Sequence, residues 1–486
     1  MEINKGFYID DLISYLGDLV ISVKNGRNIE ITDITNDSRD VVKDGAFIAL
    51  KGTSVDANNY VESVLKTSPK LIITSSSKVI DQFTANYPKV TFVQFREHFD
   101  HLVLAKTAEC FYHFPAKHLT LAGVTGTNGK TTTCYLVNHI LRSAGRKTAL
   151  FGTVSYDIDG EVFDATHTTP DPLQLQKYLA IALQKGVETV VMEVSSHAAD
   201  QCRTGSAKFD AVGFTNLTGD HLDYHQSMQK YFDAKRSIFV NSLKSDGLAV
   251  INSDDEWGRK LSEFNNFSYS FDQITNYLIT ETGTEFTFDH LHIEVPLFGK
   301  FNVYNTLCAI GICRKLGVND QRIVEALKQF KGVPGRLQAV HLNNGALAFV
   351  DYAHTDDALV NVGKALLELP HNRLITVFGC GGDRDRTKRP RMAKAAEQVS
   401  DTIIVTSDNS RTEDTKQIIS DIVAGFESQT DYQVETDRAK AIAKAVSIAE
   451  RGDIILVAGK GHEDYQIENG ITHHFSDLEE LQRFAK

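Results

Sequence analysis

The sequence lacks most of what would tie a chain to a membrane, an oxidising compartment or a nucleic acid. It has no run of eighteen apolar residues, and residues 1–11 carry neither a basic start nor an apolar signal core. No membrane insertion is therefore expected, and the chain reads as cytoplasmic. Its six cysteines, Cys110, Cys134, Cys202, Cys308, Cys313 and Cys380, are scattered, with no C-x-x-C pair and no zinc spacing. Reduced, mostly buried thiols are the expectation. Positive charge is also short: 51 lysines and arginines against 63 acidic residues give a formal net charge of -12. That balance argues against a nucleic-acid partner and confines any anion site to a local patch. Internal repeats and low-complexity segments are absent as well.

What is present is a globular composition, 42% hydrophobic and 23% charged over 486 residues, too long for one core and enough for about three domains. The organising stretch is Gly123-Val124-Thr125-Gly126-Thr127-Asn128-Gly129-Lys130-Thr131-Thr132-Thr133. The apolar run 119–124 before it reads as a buried strand, and Tyr135, Leu136, His139 and Ile140 share one face of a helix after it. Such a loop aims backbone N–H groups and a helix N-terminus at an anion, Lys130 adds a point charge, and the Thr131 hydroxyl can ligate Mg²⁺. It is a shortened nucleoside triphosphate cradle, because Val124 stands where the strict Walker pattern has its first glycine.

Before this loop, residues 29–34, 46–50, 71–74 and 90–95 read as strands. The cluster Asp37-Ser38-Arg39 reads equally as a capped turn or as a functional one. After the loop, a strand–helix rhythm implies a mostly parallel sheet covered by helices. Strand 189–194 carries Glu193 near its carboxyl end, a position suited to Mg²⁺, and runs into Ser195-Ser196-His197. Strand 211–216 runs into a loop with His221 and His225, each open between metal ligand, general base and plain loop residue. These loops should converge with the phosphate loop outside the carboxyl ends of the strands. Lys235, in a helical pattern with Tyr231, Ala234 and Ile238 on one face, reads alone as a surface lysine. A helix is expected over 306–316 and a hinge at 332–336.

The last 150 or so residues read as a second doubly wound domain, with strands at 346–350, 374–378, 402–406 and 454–457. Gly379, Gly381 and Gly382 do not make the dinucleotide fingerprint, so no nicotinamide cofactor is expected. Five basic residues between Arg384 and Arg391 fit either a solvated turn or an anion site.

In order along the chain, Thr125-Gly126-Thr127-Asn128-Gly129-Lys130-Thr131-Thr132, Glu193-Val194-Ser195-Ser196-His197, Ala234-Lys235, Asn302-Val303-Tyr304-Asn305, Gly335-Arg336, Asp351-Tyr352-Ala353-His354 and Gly459-Lys460-Gly461-His462-Glu463 resemble the Mur ligases. The likeness runs over about residues 37–477 and is greatest to members that add the third residue of the peptidoglycan peptide. It implies an α/β chain of three domains: an N-terminal uridine-nucleotide domain at 1–111, a central P-loop ATPase with a mostly parallel sheet at 112–335, and a Rossmann-like, doubly wound amino-acid domain at 336–486. It also implies ATP- and Mg²⁺-dependent ligation of diaminopimelate to a UDP-N-acetylmuramoyl dipeptide through an acyl phosphate. A monomer is expected.

Roles follow from the same resemblance. Gly126, Thr127, Asn128, Gly129, Lys130, Thr131, Thr132, Asn305, Arg336 and His354 would bind ATP, and Lys130, Glu193, His221 and Lys235 would be catalytic. Thr131, Glu193, His221 and a carbamylated Lys235 would serve the metal, since a carbamate presents the oxygens that an ammonium lacks. Ser38, Thr168, Thr169, Ser195, Gln201 and Arg203 would hold the muramoyl dipeptide, and Arg384, Asp408, Asn409, Ser410, Arg411, Gly459 and Glu463 the amino acid. Relatives that use meso-diaminopimelate carry Asp-Asn-Pro-Arg where this chain has Asp408-Asn409-Ser410-Arg411, and a bidentate guanidinium suits the distal carboxylate that lysine lacks. Ser410 in place of proline is expected to loosen this loop while leaving its charge; His167 and Gln338 also depart from the family pattern. The alternatives are a lysine-adding relative, a folylpolyglutamate synthetase sharing the ATPase core, and an inactive binding protein. The intact Lys130, Glu193, His221 and Lys235 set argues against the last.

Overall fold

The computed structural model describes residues 5–52, 55–280, 282–427 and 430–485. Its contacts divide the chain into two units, Met1–Ser270 with Leu307–Arg322, and Phe271–Thr306 with Ile323–Lys486. Among the described residues no helix is long and apolar enough to cross a membrane. All six cysteines are free and five are buried, as their scatter implied.

Among the described residues the first unit holds two large sheets and one two-stranded pair. The N-terminal one contains β1 (Val20–Lys24), β2 (Ile34–Thr35), β3 (Ala46–Ala49), β4 (Leu71–Thr74) and β5 (Thr91–Phe95), in the order β1-β5-β4-β3-β2. Only β1 runs antiparallel. Every residue of β3 and β4 is buried, which is why they read as unbroken apolar runs and not as alternating ones. The strand expected at 29–34 is two: Glu30–Ile31 pairs with Phe7–Tyr8, while Ile34–Thr35 joins β3. Six residues of apolar patterning carry no sign of a chain that changes sheets between them.

The second sheet is the larger. It comprises β6 (Thr120–Thr125), β7 (Thr148–Phe151), β8 (Ser155–Ile158), β9 (Glu161–Asp164), β10 (Thr189–Glu193), β11 (Phe209–Phe214), β12 (Leu243–Asn252) and β13 (Asn266–Tyr269), in the order β9-β8-β7-β10-β6-β11-β12-β13. It is parallel except for the β7-β8-β9 edge. Helix α1 (Lys130–Ser143) follows β6, α2 (Ser196–Asp200) follows β10, and α3 (Leu222–His225) and α4 (Met228–Ser242) follow β11. The register sets Glu193 opposite Val124 and Phe214 opposite Thr125. The carboxyl ends of β10 and β11 therefore flank that of β6, and the three loops that leave them start side by side.

The second unit begins with an antiparallel sheet, β14 (Ile274–Thr280), β15 (Gly283–Phe288) and β16 (Leu291–Val295). Helix α5 (Lys300–Lys315) follows, starts well before the expected residue 306, and belongs to the first unit from Leu307 onward. Asn302 and Asn305 read as loop residues but are buried inside it, with Asn302 donating to the Phe298 carbonyl at 2.8 Å and accepting from Asn305 at 2.9 Å. Next come β17 (Gln338–His341), β18 (Leu347–Asp351), β19 (Leu374–Phe378), β20 (Thr402–Val405), β21 (Tyr432–Val434), α6 (Arg438–Ile448) and β22 (Ile454–Ala458). The strand order β17-β18-β22-β19-β20-β21 is parallel apart from β17. This is the doubly wound sheet expected, with apolar layers on both faces.

Candidate active site

The phosphate loop is anchored to the neighbouring strand end. Thr127 N–H donates to the Asn216 carbonyl at 2.8 Å, Asn128 N–H to Asn216 Oδ1 at 3.0 Å, and Thr215 Oγ1 to the Asn128 carbonyl at 2.6 Å. Gly126 has φ 145°, and a Cβ there would collide with Thr215 Oγ1, so glycine is required for both backbone and space. Val124 lies wholly buried in β6, which explains the absent Walker glycine: the loop proper begins two residues later. Gly129 caps α1 without any side-chain hydrogen bond, leaving the first-turn N–H groups and the positive end of the helix to an anion. Lys130 Nζ folds back onto the carbonyls of Gly126 and Thr127 at 3.1 and 2.8 Å.

Glu193 is buried and accepts from Thr153 N–H at 2.8 Å and Thr153 Oγ1 at 3.2 Å. Lys235 is not a surface residue. It is 1% exposed, donates to the Gly126 carbonyl at 2.8 Å, and sits 4.6 Å from the centroid of the Tyr231 ring. Burial, with Lys130 nearby, holds its amine well below the ordinary lysine range. His221 pairs with Asp220 at 3.4 Å and lies edge-on to His197, ring centroids 4.9 Å apart. His225 is buried, bonded through Nε2 to Ser196 Oγ at 2.9 Å and stacked on Tyr231. Among the described residues no group of three or more His, Cys, Asp or Glu forms a metal cage. The oxygen donors Thr131 and Glu193 nonetheless fit Mg²⁺, a hard cation that takes few protein ligands and completes its shell with water and phosphate.

A hydrogen-bonded network continues from Glu193 toward the N-terminal sheet. Thr169 Oγ1 donates to the Glu193 carbonyl at 2.7 Å and accepts from Ser195 N–H at 3.1 Å, while Thr168 Oγ1 lies 3.1 Å from Thr153 Oγ1. Arg203 donates to the Thr169 carbonyl at 2.8 Å and grips Gln201 Oε1 at 2.9 and 3.1 Å. Gln201, Arg203 and His167 then line a cavity of about 340 Å³ together with Asn36 and Lys51, which follow strands of the N-terminal sheet, and His101 of the helix Asp100–Phe111. Five of the six residues assigned to the muramoyl dipeptide are thus brought together. Ser38 lies two residues beyond Asn36, in a turn where Arg39 clamps Asp37 at 2.5 Å.

Asn305, Arg336 and His354 belong to the second unit. The Arg336 guanidinium lies 5.2 Å from the Tyr352 ring, which also contacts the rings of His354 and His462. Gln338 accepts from Gly335 N–H at 3.0 Å, a backbone contact that an acidic residue could equally make. Burial, reinforced by Arg336, pushes His462 from 6.5 down to about 4. A histidine neutral when folded and protonated near 6.5 when unfolded gives stability that is present above pH 6.5 and lost as pH falls toward 4. We expect the melting temperature to fall across that window and His462→Gln to flatten part of the decline. His354, also lowered by burial, supplies a slope of the same sign that the variant keeps. An unchanged slope in His462→Gln would refute the assignment.

The loops assigned to the amino acid by resemblance occupy the carboxyl ends of β20 and β22. Asp408, Asn409 and Ser410 are all buried. The loop is not loosened by Ser410: Gly382 N–H donates to the Asn409 carbonyl at 2.8 Å, Glu413 N–H to the Ser410 carbonyl at 3.0 Å, and Arg411 N–H to the Ile467 carbonyl at 3.0 Å. Asn409 Nδ2 reaches Glu463 Oε2 at 2.8 Å, and Gly459, at φ 120°, lies against the Asp408 carboxylate. Arg384 is exposed. Of its basic neighbours only Arg389 is buried, pairing with Glu413 and Asp421, while the exposed Arg386 and Arg391 pair at the surface with Glu413 and with Asp356 and Asp385. Sequence reasoning passed over Thr153, Thr215, Asn216 and Tyr231. The contacts of the first and third run partly through backbone atoms, which leave no residue signature; the Tyr231 position on the buried face of α4 was the one available signal.

A P-loop on a parallel sheet, joined to a second doubly wound sheet with a charged loop at its edge, defines a nucleotide-dependent α/β enzyme. The chain belongs to the Mur ligase family, which comprises ATP-dependent ligases that form amide bonds. It matches the Mur ligase middle domain over residues 124–313 and the Mur ligase glutamate ligase domain over residues 335–461. It is 42% identical over 463 residues to the UDP-N-acetylmuramoyl-L-alanyl-D-glutamate--2,6-diaminopimelate ligase of Fusobacterium nucleatum, with 93% of each chain covered. A solved structure of a ligase of the same name superposes with TM-score 0.66 at 32% identity, covering 93% of this chain and 94% of that one. The MurF ligase of Thermotoga maritima, solved in complex with ADP, shares the fold, with TM-score 0.59 at 18% identity over 93% of this chain and 96% of its own.

Proposed function

We propose that this chain joins meso-2,6-diaminopimelate to the D-glutamyl carboxylate of UDP-N-acetylmuramoyl-L-alanyl-D-glutamate in the cytoplasm, as a monomer, with ATP converted to ADP and phosphate. We place its domains at 1–111, 112–335 and 336–486, with residues 332–336 as the hinge. The observation that carries the reading is the continuous network from Glu193 through Thr169 to Ser195 and Arg203. It links the edge of the phosphate loop to the cavity lined by Gln201 and Arg203, as a reaction between a phosphate and a peptide carboxylate requires. The relatives of the same name support the choice of substrates.

In the first step a carboxylate oxygen attacks the γ-phosphorus and ADP leaves. Lys130 and the N-terminal N–H groups of α1 offset the charge on the phosphoryl oxygens, while Ser195, Thr168, Thr169, Gln201, Arg203 and Ser38 orient the dipeptide. Asn305, Arg336 and His354 are assigned to the nucleotide by the family resemblance alone. Bound Mg²⁺ would add Lewis-acid charge neutralisation, held by Thr131 and Glu193, with His221 and the carbamate of Lys235 serving a second ion. The desolvated Lys235 supports that modification, because the neutral amine is the form that adds CO₂. In the second step the amine of the incoming amino acid attacks the acyl carbon and phosphate departs. Asp408, Asn409, Ser410, Gly459 and Glu463 receive that amino acid, and Arg411 with Arg384 reads its distal carboxylate.

The test is phosphate release by the purified chain supplied with ATP, Mg²⁺ and the UDP-muramoyl dipeptide. Release is expected with meso-diaminopimelate and not with L-lysine. Silence with both amino acids would sink the ligase reading for this chain, and release with lysine alone would overturn the role given to Arg411.

A further inference from the structure

Two buried cations that no step above uses hold the amino-acid loops together. Arg438, at the start of α6, forms a fully buried bidentate pair with Asp477, both contacts 2.7 Å. Its other contacts reach further: Nη1 donates to the Ser407 carbonyl at 3.1 Å and Nη2 to the Ala458 carbonyl at 3.0 Å. Those carbonyls stand one residue ahead of Asp408 and of Gly459. One rigid, planar guanidinium therefore fixes the spacing of the two loops, a task its fork geometry suits.

Lys460 completes the arrangement. It is 0% exposed, and its Nζ lies 3.1 Å from Glu463 Oε2, 3.3 Å from Asn409 Oδ1 and 3.8 Å from Asp408 Oδ1. Asn409 Nδ2 donates to the same Glu463 oxygen, so the amide has only one orientation that satisfies both partners. A buried ionic cluster is a poor way to gain stability, since apolar packing of the same volume commonly does as well. It does fix charged groups in place. Three carboxylates face two cations here, and the Glu463 and Asp408 side chains keep 16% and 10% exposure at the loop surface. The cluster is thus left with excess negative charge, partly exposed where an amino acid's ammonium group would arrive.

We infer that Lys460 is a positioning residue of the amino-acid site, touching no substrate but holding Glu463, directly and through Asn409, in the orientation that receives the substrate ammonium, with Arg438 as the strut between the loops. This rests on the reading of these loops as the amino-acid site. The test is a cycle of Lys460→Met, Glu463→Gln and the double variant, assayed with meso-diaminopimelate, ATP and the UDP-muramoyl dipeptide. Lys460→Met is expected to raise KM for diaminopimelate about tenfold with kcat within about threefold of the parent, as loss of an orienting ionic contact predicts, and to leave the KM for ATP unchanged. Because Lys460 acts through Glu463, the double variant should be no worse than Glu463→Gln alone. If Lys460→Met does not fold, the double variant against Glu463→Gln still decides. A lower melting temperature with parent-like KM would show a merely structural lysine, and an additive rise in KM would separate it from Glu463; either overturns the inference. A parent enzyme silent with diaminopimelate would instead overturn the reading beneath it.

Discussion

Lys130→Ala should lower kcat by about a thousandfold while the protein remains folded, the scale expected when a preorganised charge opposite a developing phosphoryl oxyanion is removed. The side chain is only half-buried and bonds two carbonyls of its own loop, so its loss opens no cavity in the core. A triphosphate is a far better partner for an ammonium than neutral carbonyl acceptors, and Lys130 is itself the first residue of α1. Lys130→Arg is not expected to rescue, because the planar guanidinium is wider than the point charge the loop accommodates. Rapid-quench measurement of phosphate transfer in a single turnover checks the step itself, separately from product release. A transfer rate near that of the parent would remove Lys130 from the mechanism.

Much of the fold was legible because parallel strands buried on both faces become continuous apolar runs, as at β4, β10, β19 and β22. The phosphate loop was legible because its chemistry is local: a few glycines, a lysine and a threonine in consecutive positions decide the backbone path and the charge. The remaining site was legible only in pieces. Lys235 gave the wrong impression because a lone lysine on a helix is normally solvated; here the Gly126 carbonyl and the Tyr231 ring compensate its burial. Arg438 and Lys460 were silent for a different reason. Their partners Asp477 and Asn409 lie 39 and 51 positions away, and no periodicity or motif spacing encodes those two pairings; only the Lys460–Glu463 pair is local, at i,i+3. The Ser410 loop shows the same limit in reverse: one residue's propensity suggested looseness, and hydrogen bonds from Gly382, Glu413 and Arg411 prevent it.

Replacing Arg411 by alanine should raise KM for meso-diaminopimelate by between about tenfold and a hundredfold, the range for losing charge-assisted hydrogen bonds to a carboxylate. Arg411 adopts φ 54°, an uncommon conformation for a side chain of this size, and Nη1 donates to the Gly382 carbonyl at 2.8 Å. Backbone and guanidinium are therefore fixed before substrate arrives, so little ordering entropy is lost on binding. Arg384 flanks the same turn, with Gly381 between the two side chains, and is expected to supply the affinity that the alanine variant retains. Because the lost contact is to the distal end of the amino acid, KM for ATP and for the UDP-muramoyl dipeptide should not move, and kcat at saturating diaminopimelate should fall by less than KM rises. Arg411→Lys restores a charge without the fork and should recover only part of the loss. The discriminating comparison is between amino acids: parent selectivity for diaminopimelate over L-lysine should shrink by the same factor by which KM rises, since lysine has no distal carboxylate to lose. Selectivity that stays intact in Arg411→Ala would place the recognition of that carboxylate on another residue, with Arg384 the first to examine.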